Sequence, residues 1–193
     1  KKVFWGRGNG WVLGGVCEIL QTLPRNNMHR QFYQDLFITL SNRIVQLQGK
    51  DGYWHASLLD PDSYPSPETS ATGFIVYALA YGVNEGLLDK TVMMPAIEKG
   101  WKALVKAVEK DGKLGYVQPI GADPKKVTRE MTEVYGAGAF LLAGNQMAHA
   151  QGRLLRLREH RPRPCQAHAG ARQGGGRRDD ERGRNVSVRT RPS

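Results

Sequence analysis

The stretch Phe4-Trp5-Gly6-Arg7-Gly8-Asn9-Gly10-Trp11 sets two tryptophans, an arginine and an asparagine among three glycines. Trp5, Arg7 and Trp11 recur at every second or fourth position, and the glycines between them add no side-chain bulk. Two aromatic rings and a guanidinium are thereby left free to face one ligand. The plainer alternative is a Gly-rich loop entering a helix, with Trp11 as the first core residue. Further along, Trp54 and His55 follow a Gly-Tyr pair, and Glu68 opens Glu-Thr-Ser ahead of an apolar run. His55 reads either as a hydrogen-bonding partner for a ligand or as a satisfied structural histidine. Other chemistries lack their residues. Cys17 and Cys165 are far apart, the five histidines form no HxxxH or HExxH pattern, and no metal-ligand spacing occurs. Neither a metal nor an organic cofactor is expected.

The formal net charge of +10 over 193 residues suggests a nucleic-acid partner until the charge is located. Residues 1–150 carry only +2, and residues 151–193 carry +8. That second segment has twelve arginines, no lysine, and no Phe, Tyr, Trp or Ile. With so little to bury it cannot offset its own ordering entropy. It reads as an out-of-frame translation, as a solvated disordered tail, or as an Arg-rich RNA-binding arm. The absence of aromatics that could stack on bases weakens the last of these. The expected division is therefore a folded body, 1–150, and a low-complexity tail, 151–193, with no nucleic-acid partner. No apolar run is long enough to span a membrane, and no signal peptide is evident at the start.

The body repeats with a period near 60 residues. Residues 68–82 align with 130–144, Lys50-Asp51-Gly52 with Lys110-Asp111-Gly112, and 10–16 with 73–79. Helical patterns cover roughly 11–23, 28–48, 69–86, 92–109 and 131–149. The second and fourth are amphipathic, whereas "GFIVYALAYGV" and "YGAGAFLLAG" are apolar nearly all round and predict burial on every side. Each repeat then pairs a fully buried helix with a half-exposed one, giving an inner and an outer layer. Thr69 or Ser70 is expected to cap the third helix.

"WGRGNGW", then "DGYWHASLLD…ETSATGFIVYALAYGVNEGLL", then "YGAGAFLLAG", in that order over about residues 3–148, resembles glycoside hydrolase family 105, the unsaturated rhamnogalacturonyl hydrolases. That family is similar in fold to the unsaturated glucuronyl hydrolases of family 88. The resemblance implies an all-α fold, a partial (α/α)6 barrel of about five of twelve helices, corresponding to the C-terminal part of the family's catalytic domain. It also implies a mechanism unlike that of paired-carboxylate glycosidases. An Asp acts as general acid/base, protonating the C4=C5 double bond of a 4,5-unsaturated uronic acid while water adds at C5. The hemiketal then collapses and releases the next sugar. No Asp or Glu in 1–150 matches that acid, so no catalytic residue is assigned to this chain.

On that resemblance Trp5 and Trp11 would offer apolar faces to pyranose rings, and Arg7 a fork of donors to the substrate carboxylate. Asn9 would hold the turn or donate to a hydroxyl. Trp54, His55 and Glu68 complete the expected substrate-binding set, Trp54 lining the cleft or packing its own loop, and Glu68 binding a hydroxyl or favouring its helix N-terminus. The implied partner is an unsaturated oligosaccharide derived from pectin, with a bacterial cytoplasm or periplasm as the setting. The alternative is a non-catalytic carbohydrate-binding remnant of the same fold. Tyr135 reads as core. A half-barrel would leave apolar helix faces open, so the chain alone is expected to be inactive and prone to association.

Overall fold

The computed structural model describes residues 3–121 and 124–152. Five α-helices follow in order: α1 Gly6–Thr22, α2 Arg30–Val45, α3 Thr69–Asn84, α4 Lys90–Lys106 and α5 Val134–Ala150, with a 3-10 turn at Pro61–Ser63. The only strand-like pairings among the described residues are two isolated bridges, Trp5 with Ser57 and Val108 with Leu114. No helix there is long and apolar enough to cross a membrane. The Arg-rich segment expected from 151 onward lies outside the described residues, apart from Gln151 and Gly152.

The helices α1, α3 and α5 lie side by side and run parallel. Gly10 packs on Ala71 and Phe74, Gly14 on Phe74 and Tyr77, and further along Gln21 donates to the Tyr77 hydroxyl at 3.0 Å. Across the next pair Gly73 meets Ala139, and near the other end Asn84 donates to Gln146. Contacts that advance together along both chains mean parallel helices. Outside them, the ring of Phe37 on α2 meets Tyr81 edge-on at 6.2 Å, and Gly100 of α4 packs on Val76 and Trp54. Leu13, Cys17, Phe37, Ile44, Ile75, Leu79, Ile97 and Leu104 fill the space between the layers.

The repeat is present in three dimensions. The inner helices begin at 6, 69 and 134, and the outer ones at 30 and 90. Both Lys-Asp-Gly sequences close the same turn. The Asp51 carboxylate accepts from the Tyr53 amide at 3.2 Å and that of Asp111 from the Lys113 amide at 3.0 Å. Gly52 and Gly112 stand at φ 97° and 86°, where a side chain is strained.

Four expectations need correction. The glycine-rich stretch is helical: α1 starts at Gly6, because the Trp5–Ser57 bridge and the Gly6 amide bond to Ala56 (2.9 Å) fix its first turn. The fifth helix starts at 134 and not 131, because the Met131 carbonyl accepts from the Val117 amide at 3.0 Å and holds that segment extended. The cap of α3 is Glu68 itself, not Thr69 or Ser70. Finally, only α3 is buried on all sides; α5 buries just Gly136, Ala139, Ala143 and Met147.

Candidate functional site

Three parallel inner helices bring three N-termini to one end, where the residues at 5–7, 68–70 and 133–135 meet the loop 115–119. The Glu-Thr-Ser sequence builds this end. Glu68 is fully buried, and its carboxylate accepts from the Ser70 amide (3.2 Å), the Ser70 hydroxyl (2.7 Å), the Ala71 amide (2.6 Å) and the Gln118 amide (3.2 Å). Thr69 donates its hydroxyl to Gly115 (2.8 Å) and its amide to Tyr116 (3.1 Å). The loop is thus pinned to the start of α3, with Tyr116 held at φ 57°, a conformation costly for a non-glycine residue. Burial pushes the Glu68 carboxyl above the usual carboxylate range, against the pull of its donors and of Arg7.

The pinned loop aims two carbonyls at Arg7. Its Nη1 donates to the Gln118 carbonyl and to the Tyr135 hydroxyl, both at 2.6 Å, and its Nη2 to the Pro119 carbonyl at 3.3 Å. The guanidinium also lies 4.8 Å from the Trp5 ring centroid and 5.1 Å from that of Tyr135, both within cation–π range. Tyr135 in turn donates to the Gln118 carbonyl. Burial pushes its phenol up, opposed by the Arg7 charge. A guanidinium has five N–H donors. Among the described residues Nε–H and the second Nη2–H of Arg7 have no acceptor, so a two-donor edge remains. The buried Trp5 Nε1 and Gln118 Oε1 are likewise without a partner there.

The expected site residues divide into two groups. Trp5, Arg7, Asn9 and Trp11 share the first two turns of α1. Trp11 is half-exposed, with its ring 4.5 Å from Phe74, and Asn9 donates back to the Trp5 carbonyl at 2.8 Å. Asn9 therefore holds the helix start. Trp54 takes the packing role of its two expected readings and does not line a cleft. It is wholly buried, and its Nε1 donates to the Ile44 carbonyl at 2.7 Å, beneath α2. His55 is also buried, its Nδ1 3.0 Å from the Ser66 carbonyl and its Nε2 3.3 Å from the Asp51 carboxylate. Both of its nitrogens are occupied by the loop they brace. Glu68 takes the second of its two expected roles, at a helix N-terminus.

Sequence reasoning missed Tyr135 and Gln118. Tyr135 reads as core because it opens an apolar run, and nothing local marks Gln118. The bonds of Glu68 to the Gln118 amide and of Thr69 to Gly115 and Tyr116 bring that loop to Arg7.

An inner layer of parallel helices within an outer one is the plan of part of an (α/α)6 barrel. Residues 1–151 match glycosyl hydrolase family 88, and the chain belongs to that family. Two unsaturated 3S-rhamnoglycuronyl hydrolases are similar to it. That of Formosa agariphila is 48% identical over 76% of this chain and 39% of its own length; that of an Alteromonas species is 44% identical over 75% and 35%. An unsaturated rhamnogalacturonyl hydrolase of Bacillus subtilis is 30% identical over 60% and 31%. The solved structure of a family 88 glycosyl hydrolase from Bacteroides vulgatus superposes with a TM-score of 0.75, at 38% identity over 78% of this chain and 44% of that one. A family 105 enzyme of C. acetobutylicum shares the fold, with a TM-score of 0.63 at 24% identity over 76% and 46%. The chain thus spans under half the length of each of these relatives, and its fold is part of their barrel. The resemblance to family 105 is met at this coarser level: the family shown is 88, with family 105 among the fold neighbours.

Proposed function

We propose that this chain forms the arginine-and-tryptophan side of the sugar cleft in an unsaturated uronyl hydrolase. The substrate is an oligosaccharide ended by a 4,5-unsaturated uronic acid, of the rhamnoglycuronyl kind borne by the names of the 48% and 44% identical relatives, in place of the pectin-derived kind. The observation that carries this reading is the unspent edge of Arg7. Its other donors are fixed by two carbonyls and a phenol, so the remaining Nε–H and Nη2–H are preorganised for a carboxylate. The N-terminal ends of three inner helices add positive potential at the same place. Trp5 and Trp11 supply apolar faces.

Of the carboxylates at this end, Glu68 is spent on four donors and Asp51 on its turn and His55, while Glu133 at the N-cap of α5 makes no side-chain cap bond. The family's acid is an Asp, which Glu133 is not, so on this reading the Asp that protonates C4=C5 belongs to the rest of the barrel and the chain alone binds without turning over. Titration of the 193-residue chain with an unsaturated rhamnoglycuronyl disaccharide, followed by tryptophan fluorescence, tests this. Saturable quenching is expected, lost in Arg7→Ala and much weaker with the reduced, uncharged sugar. Loss of the substrate's ultraviolet double-bond absorbance with the purified chain would refute the assignment of the acid. Equal binding by Arg7→Ala would refute the site.

A further inference from the structure

The segments that lead into the inner helices meet at the end where Arg7 stands, and two of them enclose a second cavity there. Ala56 and the turn at 63–66, ahead of α3, form one wall, and residues 125–127, ahead of α5, form the other. The space between them is about 260 Å³. Both walls are fastened to the residues that frame Arg7. The Ala56 carbonyl accepts from the Gly6 amide at 2.9 Å, and the Lys125 carbonyl from the Gln118 Nε2 at 3.2 Å. Gly6 adjoins Arg7 in the chain, and the Gln118 carbonyl receives the Arg7 Nη1. On each side, then, one residue stands between the cavity wall and the arginine. The turn is held as well: the Ser66 carbonyl lies 3.0 Å from the His55 Nδ1, and the Pro61 carbonyl accepts from the Tyr64 amide at 2.9 Å. The cavity is therefore preformed.

Its lining suits a sugar that carries a negative charge. Ala56 and Val127 are its buried apolar residues, and Tyr64 and Pro65 add ring faces for the C–H face of a pyranose. Ser63 adds a hydroxyl, which both donates and accepts. Lys125 and Lys126 complete the lining, and both are exposed. The ion pairs among the described residues join His55 to Asp51 and Arg129 to Glu109, so neither lysine is neutralised there. A lysine is a point charge on a flexible stem, where Arg7 is a fixed fork. The pair accordingly asks for negative charge nearby and not for one exact geometry.

We propose that this cavity is a second subsite of the cleft, taking a sugar further along the oligosaccharide and holding its carboxylate with Lys125 and Lys126. The inference rests on the reading of Arg7 as the partner of the terminal unsaturated uronate. Arg7 takes the first uronate, a neutral sugar bridges the two positions, and the lysine pair takes the second uronate. A disaccharide has no second uronate to place there. The chain therefore prefers longer substrates, through charge as well as through contact area.

Fluorescence titrations of the full chain compare an unsaturated rhamnoglycuronyl disaccharide with the corresponding tetrasaccharide, which carries an internal uronate. The tetrasaccharide is expected to bind about three- to tenfold more tightly, the yield of one or two exposed ion pairs. Added salt should shrink that advantage. Replacing both lysines, Lys125→Ala with Lys126→Ala, is expected to bring the tetrasaccharide down to the affinity of the disaccharide. The fold tolerates this change because both side chains are exposed. Equal affinity of the parent chain for the two sugars would overturn the subsite and leave the Arg7 reading standing. An advantage that survives the double replacement would overturn it too, as would a replacement that weakens both sugars alike. A tetrasaccharide that binds through the lysines while the disaccharide does not bind would strike the Arg7 reading and keep the lysine site.

Discussion

The helices α3 and α5 are alike in sequence and unlike in surroundings. Neither contains Asp, Glu, Lys or Arg, and both are rich in glycine, alanine and large apolar residues. Yet α3 buries 14 of its 16 residues and α5 only four of 17. The difference lies in the neighbours. Helix α3 has α1 on one side, α5 on the other and α4 behind, whereas α5 packs mainly on α3. An all-round apolar pattern states how much surface a helix can bury, and the adjoining helices decide how much it does bury.

Matched substitutions in the two helices sharpen this contrast. The largest expected gap is between Leu79→Ala and Leu141→Ala. Leu79 is fully buried, and its truncation should destabilise the chain by about 2–5 kcal/mol. Leu141 is 69% exposed, so its truncation should stay within about 0.5 kcal/mol. Urea denaturation of both variants compares them, and equal losses would mean that α5 is buried after all.

The glycine pair should differ in sign. Gly73→Ala drives a methyl to 2.9 Å from Ala139 Cβ and 3.1 Å from its backbone carbon, which should cost about 1–3 kcal/mol. Gly138→Ala meets nothing and should stabilise the chain by up to about 1 kcal/mol through helix propensity. Melting temperatures moving in opposite directions would confirm the close contact of Gly73 with Ala139, and shifts of the same sign would remove it.

A third contrast concerns the caps. The Glu68 side chain accepts from Ser70 and Ala71, whereas Glu133 makes no side-chain cap bond. Glu68→Ala should cost about 1–2 kcal/mol and Glu133→Ala close to nothing. Loss of the Gln118 contact should also loosen Arg7, so sugar binding should weaken in the first variant only.

The smallest effect is a pH dependence. Because the Glu68 carboxyl is raised in the folded chain, chiefly by burial, the folded state holds its proton above the pH at which the unfolded chain releases it. That contribution to stability is full below the unfolded value and fades as pH rises through the folded one. The stability of the parent chain relative to Glu68→Gln should therefore fall with rising pH in this window. A difference that stays flat across it would show that Glu68 titrates normally.

The sequence by itself determined the two-layer helical plan, the repeat near 60 residues and the turns at Lys-Asp-Gly. These rest on local rules: a 3.6-residue period, glycine at positive φ and an aspartate that bonds the amide two residues on. It also marked Trp5, Arg7, Asn9 and Trp11, which stand together because they share two turns of one helix. Tertiary structure alone decided the rest. It made the glycines of that stretch helical, since an amide bond to Ala56 fixes a first turn that their flexibility would leave open. It sent Trp54 into the core and turned Glu68 into the anchor of a loop fifty positions away. It brought Tyr135 to Arg7 across 128 residues. Such partners are set by which surfaces come together when the layers stack, and no window of sequence contains both sides of those contacts.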